Sequence, residues 1–324
     1  MTKVIVMNEV GGADKMQVED WDVPPPGAGE IKVRHEAIGL NFVDVLIREG
    51  HYDIPTPFVL GQEAAGVVTE VGAGVTEFKL GARVAYMGAT GAFSEERNVA
   101  ASIVFPIPDG VDFDTAAAIT LKGMTVYYLF HMTHKLQPGE TILFHGAAGG
   151  VGQIAVQWAK HIGATVIATV SSEEKVALAR ESGADYVIDN KTENFVERVK
   201  EITGGKGVDV VYDSVGKDTF QGSLDCLRTW GLMVNFGHSS GRVSIDDIFD
   251  TLAPKALYLA RPILPTHYTD RQVALKAAAA MYDLAAKGVL KIKVGQRFPL
   301  TETAKAHVAL ENRQTIGSTI IDPR

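Results

Sequence analysis

The sequence predicts a two-domain α/β protein in which a parallel-sheet domain is inserted into a β-rich one. Three observations carry this. At 324 residues the chain exceeds what one ordinary core encloses. Short strands punctuated by glycine fill the first third, and a regular strand–helix alternation replaces them from Thr141. Mixed strand and helix patterns return near Pro265. The expected division is 1–122 with 265–324 for the β-rich domain, and 123–264 for the inserted one.

Residues 4–7 read as a short strand, and Pro24-Pro25-Pro26-Gly27 as a rigid connector. Residues 31–40 alternate well enough for a strand. Further strands at 64–71 and 83–87 are set apart by Gly72-Ala73-Gly74 and Gly81. Such strands with glycine turns suit a small barrel or folded sheet. A helix is expected over 115–131, with Asp114 or Thr115 as its N-cap, and Pro138-Gly139 marks the next turn. Strands at 141–145, 164–170, 186–188, 208–212, 232–235 and 256–259 follow, with helices at 149–162 and 173–182, the latter closed by Gly183. The strands are near-continuous apolar runs, as in a parallel sheet buried on both faces. The tail carries a helix over 271–287, a strand at 292–294, a helix near 302–311 and a last strand at 318–321.

Composition narrows the function. The net charge of −8 repels phosphate backbones, so nucleic acid is not expected as a main partner. Cys226 is the single cysteine, which excludes an internal disulfide and points to a reducing, cytoplasmic setting. No apolar run reaches the length of a membrane span, because Lys122 and Gly123 interrupt the greasiest stretch. The first residues are too soon polar for a signal peptide.

The strongest local signal is TILFHGAAGGVG over 141–152. An apolar strand runs into glycines and then into a helix. Glycine lets the backbone turn tightly and approach a pyrophosphate closely, and the N–H groups at the helix start bind its charge. Against the G-x-G-x-x-G pattern the matching residues are Ala147, Gly149 and Gly152, so the first glycine is alanine. About 20 residues on, an NAD site wants an acidic residue for the ribose hydroxyls. Here Ser171 ends the next strand and Lys175 lies one helical turn further. A lysine there can neutralise a 2′-phosphate, which favours NADPH over NADH; Glu173 and Glu174 pull the other way.

With these residues in hand, the sequence resembles the quinone oxidoreductases of the medium-chain dehydrogenase/reductase superfamily, the group that includes zeta-crystallin. The resemblance spans essentially the whole chain. Its carriers are NFVD at 41–44, GQEAAG at 61–66, LKGMTVYY at 121–128, AAGGVG at 147–152, VYDSVG at 211–216 and NFGHSS at 235–240. It implies a GroES-like catalytic domain formed by both chain ends around a Rossmann NADPH-binding domain. It also implies NADPH contacts at Asn41, Tyr128, Gly150, Val151, Ser171, Lys175, Ser214, Phe236, Gly237, His238 and Ser239, with Arg313 as a second cation for the 2′-phosphate. Three positions depart from relatives. Asn190 replaces a tyrosine near that phosphate and can donate a hydrogen bond but not stack. Leu46 replaces a second tyrosine, and His238 stands where relatives carry asparagine.

The superfamily's zinc enzymes need a catalytic cysteine and a Gly-His-Glu stretch, whereas Gly61-Gln62-Glu63 has glutamine in the middle. His131 and His134 are spaced i, i+3 but read as helix-end residues. Without a Lewis acid, simple ketones and alcohols are poor substrates, because a developing alkoxide needs a cation or proton donor. Quinones and conjugated enones delocalise that charge. The expected function is therefore a zinc-independent, NADPH-dependent quinone reductase. The alternatives are an enone or enoyl C=C reductase, and a crystallin-like protein that binds NADPH and catalyses little. Candidate catalytic residues are Asn41, whose amide can hold the cofactor ribose or the acceptor's oxygen; Tyr52, which can bond or stack; and Thr125, for the nicotinamide carboxamide. Each has a plain reading as turn residue, packing aromatic or helix-face hydroxyl. The apolar strand at 256–260 reads as a sheet edge, and the resemblance implies that it pairs in a homodimer.

Overall fold

The computed structural model describes residues 1–324. The chain divides into two compact units, Met1–Met124 with Asp270–Arg324, and Thr125–Thr269.

In the first unit the long strand Glu30–Leu40 is the hub. It pairs antiparallel with Glu63–Val71, with Glu96–Ala100 and with Ser318–Asp322. The sheet continues through Arg83–Met87 to Val104–Pro106 on one side and to Val294–Pro299 on the other. A smaller sheet joins Met16–Trp21, Thr2–Met7 and Phe58–Val59. Apolar side chains such as Ile31, Ile38, Leu60, Val68 and Phe93 fill the interior. The short helix Phe42–Arg48 is tied to the C-terminal helix Thr303–Glu311 by a two-pronged pair, Arg48 donating to both oxygens of Glu311 at 2.9 and 2.8 Å. Arg48 is buried, so its remaining donors matter; Nε reaches the Gly11 carbonyl at 3.0 Å.

The helix expected over 115–131, with Asp114 or Thr115 as its cap, starts earlier and spans Phe113–Tyr128. Asp112 is its cap: the carboxylate accepts the Thr115 N–H at 2.7 Å. A π-turn over Leu129–Thr133 follows.

The second unit is a six-stranded parallel sheet. We number its strands β1 (Thr141–His145), β2 (Thr165–Val170), β3 (Tyr186–Asp189), β4 (Val208–Asp213), β5 (Leu227–Asn235) and β6 (Tyr258–Ala260). Their spatial order is 3-2-1-4-5-6, which reverses direction between β1 and β4. Crossover helices Gly150–Ile162 and Glu173–Glu181 follow β1 and β2, and Gly163 ends the first in the left-handed region at φ +99. β5 is longer than expected. Its first half is polar and irregular, with Trp230 at φ +59, which hides the strand from an apolar-run reading.

Candidate functional site

The second unit builds its site from bare backbone. After β1, Gly146 turns the chain at φ +70, and Gly149 precedes the helix Gly150–Ile162 without any side-chain cap. The first helical N–H groups have no intrahelical acceptor, so those of Gly150, Val151 and Gly152 are available to an anion. A Cβ at Gly152 would lie 2.3 Å from the Gly146 oxygen and 2.5 Å from the Ala147 Cα, so only glycine keeps this turn closed against its helix. The turn rests on a buried layer. His145 bonds Thr169 Oγ1 at 2.9 Å through Nδ1 and Ser223 Oγ at 3.0 Å through Nε2, and burial lowers its pKa.

Across the reversal point, Asp213 ends β4 fully buried. It accepts the N–H groups of Val215 and Gly216 at 2.7 and 3.0 Å and the Thr219 hydroxyl at 2.8 Å. These bonds shape the loop that carries Ser214, whose hydroxyl donates to the His145 carbonyl at 3.4 Å. Phe236, Gly237, His238 and Ser239 leave β5 beside it. A Cβ at Gly237 would strike Ser214 Cα at 2.8 Å. His238 Nδ1 accepts from Arg261 Nη2 at 3.2 Å. Tyr128 stacks on His267 with centroids 4.4 Å apart, and burial raises its phenol pKa.

At the tip of β2, Lys175 Nζ donates to Ser171 Oγ at 3.4 Å. Asn190 follows β3, and its N–H bonds the Val170 carbonyl at 3.0 Å. The sheet therefore gathers Ser171, Lys175 and Asn190 at one edge of the turn. Tyr128 apart, the expected cofactor contacts of this unit lie at the carboxyl ends of its strands or on the helices leading from them, where α/β sheets bind ligands.

The first unit builds its cluster from buried charge. Glu63 is fully buried and accepts three donors: Leu121 N–H at 2.5 Å, Lys122 Nζ at 2.9 Å and Asn41 Nδ2 at 3.0 Å. Register places it there, since Gly39 pairs with Glu63 across the two strands. Gly39 has no alternative: a Cβ would meet Glu63 Oε2 at 2.5 Å and the Ala117 carbonyl at 2.2 Å. Asn41 caps the helix Phe42–Arg48 in a reciprocal capping box with Asp44, whose Oδ2 takes the Asn41 N–H at 2.8 Å. Asp44 is fully buried, and desolvation pushes its carboxyl up to about 8. Tyr282 donates to Thr120, which itself donates to the Ala116 carbonyl.

Tyr52 lies beyond this helix, 46% exposed, while Thr125 is buried in the helix Phe113–Tyr128. Arg313 belongs to the first unit, where it follows Thr303–Glu311 at φ +58. Sequence reasoning assigned no role to Glu63, Lys122, Asp44 or Asp213. The first two carried a signal: each is a lone charge inside an apolar run, and such charges must be paired when buried.

Comparison with known proteins matches residues 27–109 to the alcohol dehydrogenase GroES-like domain and 150–277 to the zinc-binding dehydrogenase family. A quinone oxidoreductase of Pseudomonas aeruginosa is 47% identical over 326 residues, covering all of both chains. A 2-haloacrylate reductase of a Burkholderia species is 44% identical over 335 residues, again over all of both. The crystal structure of the Escherichia coli quinone oxidoreductase complexed with NADPH superposes with a TM-score of 0.97 at 45% identity, covering 100% of each chain. The chain belongs to the quinone oxidoreductase family of medium-chain dehydrogenases/reductases. It has the GroES-like and Rossmann-type domains of that family.

One family description names zinc, and the residues do not fit that ion. Gln62 precedes Glu63, whose two oxygens already hold three donors. The sole thiol, Cys226, is buried in the other unit, and burial pushes it up to about 12. No three His, Cys, Asp or Glu side chains converge as a metal site.

Proposed function

We propose that this family member is an NADPH-dependent quinone reductase that works without zinc. One observation carries the reading: an uncapped helix start behind a glycine turn, with Lys175 poised over Ser171 at the neighbouring strand tip. The turn suits a pyrophosphate, and the uncharged serine with its lysine suits a 2′-phosphate. The N–H groups of Gly150, Val151 and Gly152 would hold the pyrophosphate, with Gly149 opening the way. Ser171, Lys175 and Asn190 would take the 2′-phosphate. Tyr128, Ser214, Phe236, Gly237, His238 and Ser239 would line the remainder. When bound, NADPH supplies a hydride. Asn41, Tyr52 and Thr125 are the proposed contacts to the nicotinamide half and the acceptor. Arg313→Ala is expected to weaken NADPH while sparing NADH.

A quinone accepts hydride without a metal because its oxyanion is spread over the ring, so a few hydrogen bonds suffice. A second reading, reduction of a conjugated C=C bond, is favoured by the full-length likeness to a 2-haloacrylate reductase. Following NADPH consumption over a panel of quinones and enones separates the two. Turnover on quinones at least about tenfold faster supports the first, and the reverse order supports the second. Binding without consumption on every acceptor leaves a crystallin-like binder.

The same proposal includes a homodimer in the cytoplasm. β6 is the open edge of its sheet, and Tyr258 on it is 62% exposed. Bare strand edges are usually paired or covered. Light scattering giving only the monomer mass at micromolar protein would contradict the dimer. No helix is long and apolar enough to cross a membrane.

A further inference from the structure

The Asn41 amide has two faces, and the cluster around it decides which one a ligand meets. A carboxylate can only accept, so the atom 3.0 Å from Glu63 Oε2 must be the amide nitrogen. The same nitrogen lies 3.4 Å from the Gly39 carbonyl, a second acceptor. Both amide hydrogens are thereby directed inward. The Asp44 backbone N–H bonds the Asn41 main-chain carbonyl at 3.0 Å, so the Asn41 amide oxygen keeps a lone pair to spare.

Glu63 can impose this because it is itself immobile. Lys122 Nζ and Leu121 N–H hold its two oxygens, and the long pairing of Glu30–Leu40 with Glu63–Val71 fixes its backbone. Burying this charge is tolerable only because every oxygen is satisfied. A structural pair alone would not need to reach Asn41.

We propose that Glu63, seated by Lys122, is a positioning residue that turns the Asn41 nitrogen inward and leaves its oxygen to serve the bound dinucleotide. Asn41 then acts as an acceptor for a ribose hydroxyl and has no hydrogen to offer a developing oxyanion. This rests on the dinucleotide reading above and sharpens it, since the amide type alone permits either role.

Glu63→Gln tests it in the full-length chain. With its oxygen kept on Leu121 N–H, the introduced amide turns its nitrogen toward both Lys122 and Asn41, and Asn41 answers it by flipping and presenting its own nitrogen to the ligand. NADPH fluorescence titration should show a dissociation constant raised about tenfold or more, the equivalent of one lost hydrogen bond. KM for 1,4-benzoquinone should change by less than about threefold. The swap Asn41→Asp with Glu63→Gln restores a donor facing an acceptor and keeps the cluster's charge. It should bring NADPH affinity back to within about threefold of wild type. A folded Glu63→Gln chain with wild-type NADPH affinity overturns the proposal. So does a swap variant no tighter than Glu63→Gln alone. Should Glu63→Gln not fold, the swap against wild type decides: affinity within about threefold supports the orientation, and a loss beyond about tenfold overturns it. A wild-type chain that binds no NADPH defeats the dinucleotide reading itself, which is a separate result.

Discussion

The glycine turn after β1 and the Glu63 cluster are both polar sites, the turn open to solvent at Gly146 and Gly149 and the cluster buried, and they are vulnerable in opposite ways. The turn works because atoms are missing: Gly152 has no Cβ, and no side chain caps the helix that follows. Its donors are backbone N–H groups awaiting a partner. The cluster works because no donor is missing: Lys122, Leu121 and Asn41 all close on one carboxylate. Adding atoms should disrupt the first. Removing the cation that balances Glu63 should destabilise the second.

The largest effect is expected from Lys122→Met. It leaves Glu63 buried without its counter-charge, and stability should fall by about 3–5 kcal/mol in thermal or urea unfolding. Adding Glu63→Gln to that variant should recover part of the loss. Gly152→Ala should raise the NADPH dissociation constant about a hundredfold, read by fluorescence titration, and should lower stability as well, because its Cβ meets the backbone of Gly146 and Ala147. A wild-type affinity there would mean the turn is not the binding element. Lys175→Ala should raise KM for NADPH about tenfold to a hundredfold and leave KM for NADH almost unaltered, as expected for loss of one charge-assisted bond.

How far each region could be read in advance follows from the same difference. The turn was legible because β1 is an apolar run, its glycines are contiguous and the helix follows at once. The strand–helix alternation from Thr141 was visible for that reason too. The edge strands Met16–Trp21 and Glu96–Ala100 were not, because their side chains are mostly polar and half-exposed and show no apolar period. The early start of the helix at Phe113 was missed because its cap, Asp112, sits among several acidic residues of similar capping ability. In the cluster, Glu63 and Lys122 could be seen as charges stranded in apolar sequence. That they meet depends on strand register and on a helix residue 59 positions downstream. Local spacing does not encode such a distance.

Two smaller effects concern pH. Asp44 holds its proton in the folded chain up to about pH 8, while the unfolded chain releases it near 3.8. The folded state binds the extra proton between these values, so this group's contribution to stability falls as pH rises through that window. Asp44→Asn should remove a slope of about 1.4 kcal/mol per pH unit from stability measured between pH 5 and 7.5. An unchanged slope would show that Asp44 is ionised in the fold. His307 runs the other way. It is buried against Phe93 with neither ring nitrogen hydrogen-bonded, and desolvation lowers its pKa to about 3. It stays neutral in the fold while the unfolded chain protonates, so its contribution is present above about 6.5 and lost as pH falls. His307→Leu should raise stability by about 1 kcal/mol at pH 5 and less at pH 7.5.

The central claim is that backbone N–H groups and one lysine, and no metal, fit the second unit to a phosphorylated dinucleotide. Equilibrium titration of the wild-type chain with NADPH and with NADH tests it most directly. The account predicts tighter binding of NADPH by at least about tenfold, with chelator leaving both constants unchanged. Equal dissociation constants for the two, or affinity that disappears with chelator, would contradict it.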